Sequence, residues 1–230
     1  MMNQPFPGVH QAGGRLATRN LAPGVKVYGE KLHRTPSGEL REWDAYRSKL
    51  AAGITNGLKR LDIRQGASVL YLGAASGTTA SHVSDIVGAH GIVFCVEFAP
   101  RCMRDLLKTC EPRGNMIPLL EDARLPENYR QAIDEFAGGK VDVVFEDVAD
   151  PQQAEILTAN CKAFLKPSGQ ALIAVKARSI SAVKQPQEVY ATVEKQLQQD
   201  FEIEQKLLLD PFDKDHEMLS LRPRKPTATM

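Results

Sequence analysis

Glu97, Asp122, Asp147 and Lys176 each follow a short apolar run, and a further run, Val69–Leu72, leads into Gly73-Ala74-Ala75-Ser76-Gly77-Thr78-Thr79. Residue types of this kind at strand ends can hold a nucleoside. Glu97 follows the glycine turn by about the spacing at which a carboxylate takes ribose hydroxyls. Phe98 beside it offers a face for an adenine ring. Asp122 can accept an adenine amino group, with the Ala123 N–H as a ring donor, and Asp147 suits the ammonium of a methionine moiety. Lys176 can act as a base if desolvation and a nearby Lys49 lower its pKa, and His216 can position a substrate. Taken singly, each acid is more often a cap or turn residue, Lys176 a strand-end lysine reaching water, and His216 a turn histidine. Their recurrence at successive strand ends is much harder to credit to capping.

The elements that must position these residues follow from hydrophobic patterning. Val69–Leu72 shows no polar alternation and reads as a strand buried on both faces. Gly73 and Gly77 free the turn's dihedrals and open the next helix N-terminus to a ligand. That turn alone serves nucleotides, S-adenosylmethionine and plain helix packing equally. Further strands are expected at Ile92–Phe98, Met116–Leu120, Val141–Phe145 and Ala171–Val175. Helices are expected between them: one opened by Pro100, one through Tyr129 and Phe136, and one capped by Asp150 with Pro151 at its first position. Lys166-Pro167-Ser168-Gly169 should stop the last of these, and Gln187–Gln199 forms another helix. Such alternation predicts a parallel, doubly wound α/β sheet. Between Phe201–Leu209 and Glu217–Leu221 too few residues remain for a crossover helix, so these strands pair antiparallel. A parallel sheet closed by a hairpin looks like a Rossmann-like S-adenosylmethionine-dependent methyltransferase. It is less expected of a nicotinamide-dependent oxidoreductase, the rival enzyme class.

Residues 1–45 are rich in Gly and Pro, with a strand-like piece at Val25–Tyr28 and a turn at Thr35-Pro36-Ser37-Gly38. They read as a small antiparallel β module, and 46–230 as the α/β domain. A helical pattern links them from Trp43 to Leu61, with Tyr46, Leu50, Ile54 and Leu58 on one face. Net charge is +1, yet residues 1–66 hold 11 Lys/Arg against 5 Asp/Glu, which suits either a polyanionic partner or a solvated basic face. Four cysteines without CxxC spacing read as packing thiols, and no metal is called for. Without a membrane-spanning run or a signal-peptide core, a cytoplasmic location is expected.

The stretches Tyr46–Ala52, Val69–Val87, Val96-Glu97-Phe98, Glu121–Arg124, Asp147-Val148-Ala149 and Asp213–His216 resemble fibrillarin, the RNA 2′-O-methyltransferase family, in its archaeal form without a Gly/Arg-rich extension. The resemblance implies S-adenosyl-L-methionine as cofactor and a catalytic set of Lys49, Asp147, Lys176 and His216. It implies a cofactor site of Gly73, Ala75, Thr78, Thr79, Glu97, Phe98, Asp122, Ala123, Asp147, Val148, Ala149 and Asp150. The implied setting is a C/D box guide ribonucleoprotein with a Nop-domain scaffold protein, a kink-turn-binding ribosomal-type protein, a guide RNA, and rRNA or tRNA as substrate. One departure stands out. The family carries Gln after Asp-Val-Ala, whereas Asp150 accepts but cannot donate, so a contact needing an amide N–H is lost. A non-catalytic ribonucleoprotein subunit is the alternative, though no catalytic position is missing.

Overall fold

The structure, a computed structural model, describes residues 5–224. It begins with β1 (Val9–Ala12), β2 (Arg15–Arg19), β3 (Leu32–Thr35) and β4 (Gly38–Trp43), an antiparallel sheet in the order β1-β2-β4-β3. Thr35 pairs with Gly38 across the expected Pro36-Ser37 turn. The strand expected at Val25–Tyr28 does not form. Its Val27 and Tyr28 N–H groups donate to the Glu30 carboxylate at 2.9–3.1 Å, which removes them from any ladder.

The helix expected from Trp43 to Leu61 is also shorter. Trp43 closes β4, and α1 (Lys49–Thr55) begins only after Ser48, whose hydroxyl accepts the Ala51 N–H. Past its end, Gly57 takes a φ of 94°, and the Asn56 amide is held by the Leu208 and Asp210 carbonyls. Lys49 therefore stands at the first helical position.

The alternating part runs β5 (Ser68–Leu72), α2 (Thr78–Val87), β6 (Ile92–Val96), α3 (Pro100–Cys110) and β7 (Met116–Leu119). A 3₁₀ turn (Pro126–Tyr129) precedes α4 (Arg130–Ala137), then β8 (Val141–Glu146), α5 (Gln153–Phe164) and β9 (Leu165–Lys176). The chain ends through α6 (Ala177–Ile180), α7 (Pro186–Leu197), β10 (Phe201–Leu208) and β11 (His216–Pro223). Seven strands order as β10-β11-β9-β8-β5-β6-β7, with β5 to β9 parallel and β11 antiparallel to both neighbours. Side chains of β5 alternate between two cores. Val69 and Tyr71 pack with α1, α2 and α3, while Leu70 and Leu72 pack with α4, α5 and α7. None of the described helices is long and apolar enough to cross a membrane.

Two local expectations change. Asp150 does not cap α5. Its carboxylate takes the Gln152 N–H at 2.8 Å in a turn upstream, and the helix starts at Gln153. Lys166-Pro167-Ser168-Gly169 is not a free turn but a bulge within β9, since Val141 pairs with Leu165 while Val143 pairs with Gln170. Gly169 is required there, because a Cβ would lie 2.7 Å from the Asp142 carbonyl oxygen.

The small sheet meets α2 through buried charge. Arg41, wholly inaccessible, donates to Glu30 at 2.6 Å, to Asp85 at 2.7 Å and to the Ser81 hydroxyl at 2.8 Å. His82 of α2 stacks on Trp43 with ring centroids 4.9 Å apart and bonds to Thr18 and Tyr28. Burial pushes its pKa well below the ordinary value, so it packs as a neutral ring. These contacts fix α2, and with it the entry to the site.

Candidate functional site

Strand order reverses at β5, whose neighbours are β6 and β8, and this opens a crevice beyond the carboxyl ends. A cavity of about 250 Å³ lies there. Gly73, Ala75, Glu97, Phe98, Asp122, Ala123, Asp147, Val148, Ala149, Asp150 and Lys176 all line it, joined by Glu121, Arg124 and Ile156. Thr78 and Thr79 do not. Thr78 opens α2, and the buried Thr79 hydroxyl donates to Ser48 at 3.0 Å, which ties the start of α2 to the start of α1.

The glycine turn is shaped by close approach. A Cβ on Gly73, at φ 80°, would sit 2.8 Å from the Asp147 carbonyl oxygen. Ala75 takes a left-handed φ of 49°, a conformation that costs an L-residue on the order of 1–3 kcal/mol. Its N–H donates to Glu97 at 2.9 Å in return, and the Ala99 N–H donates to the other Glu97 oxygen at 2.8 Å. Glu97 is thereby held rigid with acceptor capacity left for a vicinal diol. Phe98 stands 74% exposed, an unusual position for a phenyl ring unless something covers it. Asp122 is engaged by the Arg124 guanidinium at 2.6–3.0 Å, and that bond lowers its pKa.

At the inner edge, three charges converge. Asp147 Oδ1 lies 2.9 Å from Lys176 Nζ and 3.1 Å from Lys49 Nζ. Lys176 Nζ also donates to the Asp147 carbonyl at 2.7 Å, the same carbonyl that excludes a Cβ at Gly73. Burial works against the Lys49 charge, but Asp147 and Asp213 outweigh it and raise its pKa above the ordinary lysine value. Lys49 arrives because α1 packs on β11, so closely that a Cβ on Gly53 would collide with Met218.

His216 is paired in register with Lys176 and lies beside the cluster. Its Nδ1 is 3.0 Å from Asp213 Oδ1 and 2.7 Å from the Lys214 carbonyl. Both partners are acceptors, so the proton belongs on Nδ1, and Nε2 has no partner among the described residues. Asp213 reaches Lys49 as well, at 3.5 Å. Sequence reasoning missed this bridging role. Asp213-Lys214-Asp215-His216 offers two carboxylates, and only the folded turn sends Asp215 to Arg178 and Asp213 inward. Glu146, immediately before Asp147, is fully buried with neither carboxyl oxygen hydrogen-bonded among the described residues, and burial drives its pKa well up. Burial thus disfavours a charge on Glu146, while Asp147 lies within ion-pairing distance of both lysines.

The comparisons with known proteins agree with this architecture. The family model described as Fibrillarin matches residues 3–225. A fibrillarin-like rRNA/tRNA 2′-O-methyltransferase from Thermococcus onnurineus is 51% identical over 222 residues, covering 94% of this chain and 96% of that one. Aeropyrum pernix fibrillarin, solved with natively bound S-adenosyl-L-methionine, superposes with a TM-score of 0.83 at 48% identity, over 93% of this chain and 92% of that one. The fibrillarin chain of a fibrillarin/Nop5p complex gives 0.86 at 39% identity, over 96% and 100%. With a match that runs through nearly every element described above, the chain belongs to the fibrillarin family.

Proposed function

We propose that this chain methylates ribose 2′-hydroxyls of rRNA and tRNA with S-adenosyl-L-methionine, as the catalytic subunit of a C/D box guide ribonucleoprotein. The observation that carries the reading is the Lys49–Asp147–Lys176 cluster at the edge of a cavity whose other walls suit an adenosine. The donor set fits the cofactor: Glu97 for the ribose diol, Phe98 for a ring face, Asp122 and the Ala123 N–H for the adenine edge, and Asp147 for the ammonium. Bound there, S-adenosyl-L-methionine supplies a methyl group already activated on a sulfonium. The chain's own work is then to align the ribose and to take its proton. Lys176 Nζ donates to the Asp147 carbonyl and lies 2.9 Å from Asp147 Oδ1, contacts that aim it, and once deprotonated it presents a lone pair to the ribose hydroxyl. Lys49 holds Asp147 as well, and His216, with Nε2 unengaged among the described residues, positions the ribose or a phosphate.

The partners follow from the same reading: a Nop-domain scaffold protein, a kink-turn-binding protein and a guide RNA whose base pairing selects the nucleotide. The location is the cytoplasm. Residues 1–45 serve as a module that braces the catalytic domain 46–230. A purely structural subunit is disfavoured because the lysines and Asp147 stand within bonding distance rather than dispersed.

Calorimetric titration tests the cofactor assignment. The protein binds S-adenosyl-L-methionine and not NAD, and Glu97→Ala and Asp122→Ala each weaken binding by about 1–3 kcal/mol, the usual worth of a charge-assisted contact. Wild-type affinity in both variants would place the adenosine elsewhere, and preference for NAD would return the oxidoreductase reading.

A further inference from the structure

A second hollow, of about 450 Å³, lies beyond the catalytic cluster and has no part in holding the cofactor. Its walls include Arg15, Trp43, Asp44, Tyr46, Ile54 and Phe212. Tyr46 and Phe212 form an edge-to-face pair with centroids 5.0 Å apart, and Tyr46 is 68% exposed. Both rings are set by local backbone bonds. The Tyr46 N–H donates to Asp44 Oδ1 at 2.9 Å, and the Phe212 N–H to the Leu209 carbonyl at 2.9 Å. Phe212 directly precedes Asp213, and Tyr46 stands one turn before Lys49. The hollow thus lies next in the chain to Lys49 and Asp213, which pair with each other at 3.5 Å, while Asp147 and Lys176 line the cofactor cavity.

Resting on the functional reading above, we propose that this hollow cradles the substrate RNA strand beside the methylated ribose, with Tyr46 and Phe212 against a neighbouring nucleotide and Arg15 and Arg47 on its phosphates. With the cofactor cavity filled, a ribose directed at Lys176 has to arrive from the Lys49–Asp213 side. A bare aromatic pair beside that approach offers what ribose and base faces prefer, and it does so without regard to base identity. This indifference suits an enzyme whose target is chosen elsewhere by base pairing. The rim supplies the charge. Arg15 is exposed and only 4.0 Å from its nearest acid, Glu42. Arg47 lines an adjoining hollow that shares Arg15 and Asp44 with this one; it lies over the Tyr28 ring, 5.8 Å from its centroid, and makes no ion pair among the described residues. Asp44 is the one acid lining the hollow among the described residues, and its carboxylate already takes the Tyr46 N–H. The basic excess of residues 1–66 thereby acquires a place and a ligand.

The test uses the assembled ribonucleoprotein and a substrate RNA oligonucleotide. Tyr46→Ala and Phe212→Ala each raise the RNA KM roughly tenfold, the usual loss of one stacked contact. Tyr46→Phe, which keeps the ring, stays within about twofold of wild type. Arg15→Gln with Arg47→Gln lowers the slope of log K against log salt by about 1–2, as expected for two lost phosphate contacts. Cofactor affinity of the single chain, read by calorimetry, is unchanged in all of them, which also shows that the variants are folded. An unchanged RNA KM together with an unchanged salt slope overturns the proposal. So does a Tyr46→Ala chain that no longer joins the scaffold protein while RNA binding by the guide complex is unaffected, since the hollow would then be a protein interface. Wild-type complex that fails to methylate would instead overturn the functional reading itself.

Discussion

Lys176→Ala leaves S-adenosyl-L-methionine affinity nearly unchanged and lowers single-turnover methylation in the assembled complex by roughly 10²-fold or more. The expectation follows from where the amine sits. Nζ is 2.9 Å from Asp147 Oδ1 and donates to the Asp147 carbonyl at 2.7 Å, so the amine is aimed by one hydrogen bond and one ion-pair contact to a single residue. Lys176→Arg separates proton removal from charge. A guanidinium has the positive charge and the donors, but it stays protonated and cannot accept the ribose proton. Near-wild-type turnover of Lys176→Arg would exclude Lys176 as the base and leave it a positioning charge. Asp147→Ala should damage both cofactor binding and rate, because this residue both lines the cofactor cavity and lies within 3.1 Å of Lys49 and Lys176.

Arg41→Ala costs about 3–5 kcal/mol of stability, the range for removing one partner of a buried ion cluster. Its guanidinium is wholly buried, and its loss leaves Glu30 without the cation it pairs with and Asp85 with Arg113, at 3.8 Å, as its one charged partner among the described residues. The pH dependence has a defined sign. Burial alone would raise the Glu30 pKa, but the N–H groups of Tyr28 and Val27 and the Arg41 side chain outweigh it and hold the value below the ordinary 4.5. Glu30 therefore contributes stability that is present above pH 4.5 and lost as the pH falls through its folded pKa. The Arg41→Ala penalty should be full at neutral pH and shrink on acidification. Chemical denaturation at several pH values measures both. A loss under about 1 kcal/mol at neutral pH would show that solvent reaches the cluster. A double replacement, Arg41→Met with Glu30→Gln, should recover part of the loss, since Asp85 then keeps Arg113 and no carboxylate is left buried without a cation.

What the sequence by itself determined was the sheet and the carboxylates at its strand ends. Val69–Leu72 and Ile92–Val96 are unbroken apolar runs, Val141–Phe145 is interrupted only by Asp142, and runs of that kind can hardly avoid becoming buried strands. Alternating helices then order such strands in parallel, and the short Asp210–Asp215 link leaves only a hairpin for the last pair. Glu97, Asp122 and Asp147 inherit their places from those strands, so their gathering around one cavity was legible before any coordinate. Apolar periodicity carried less information where the backbone bonds to side chains. Val25–Tyr28 has the composition of a strand, yet the Glu30 carboxylate takes its N–H groups. Ser48 capped a helix that the apolar spacing placed several residues earlier. The tertiary structure alone decided which charges meet. Lys49 reaches Asp147 only because α1 packs on β11, and Asp213 rather than Asp215 joins the cluster only because of how the hairpin turn folds. Arg41 and Arg15 are the same residue type in neighbouring strands, but one is sealed against α2 and the other lies open at the rim of a hollow. Local sequence sets the pattern of apolar burial over a few residues. An ion pair between distant segments depends on distances and desolvation that exist only once those segments have packed.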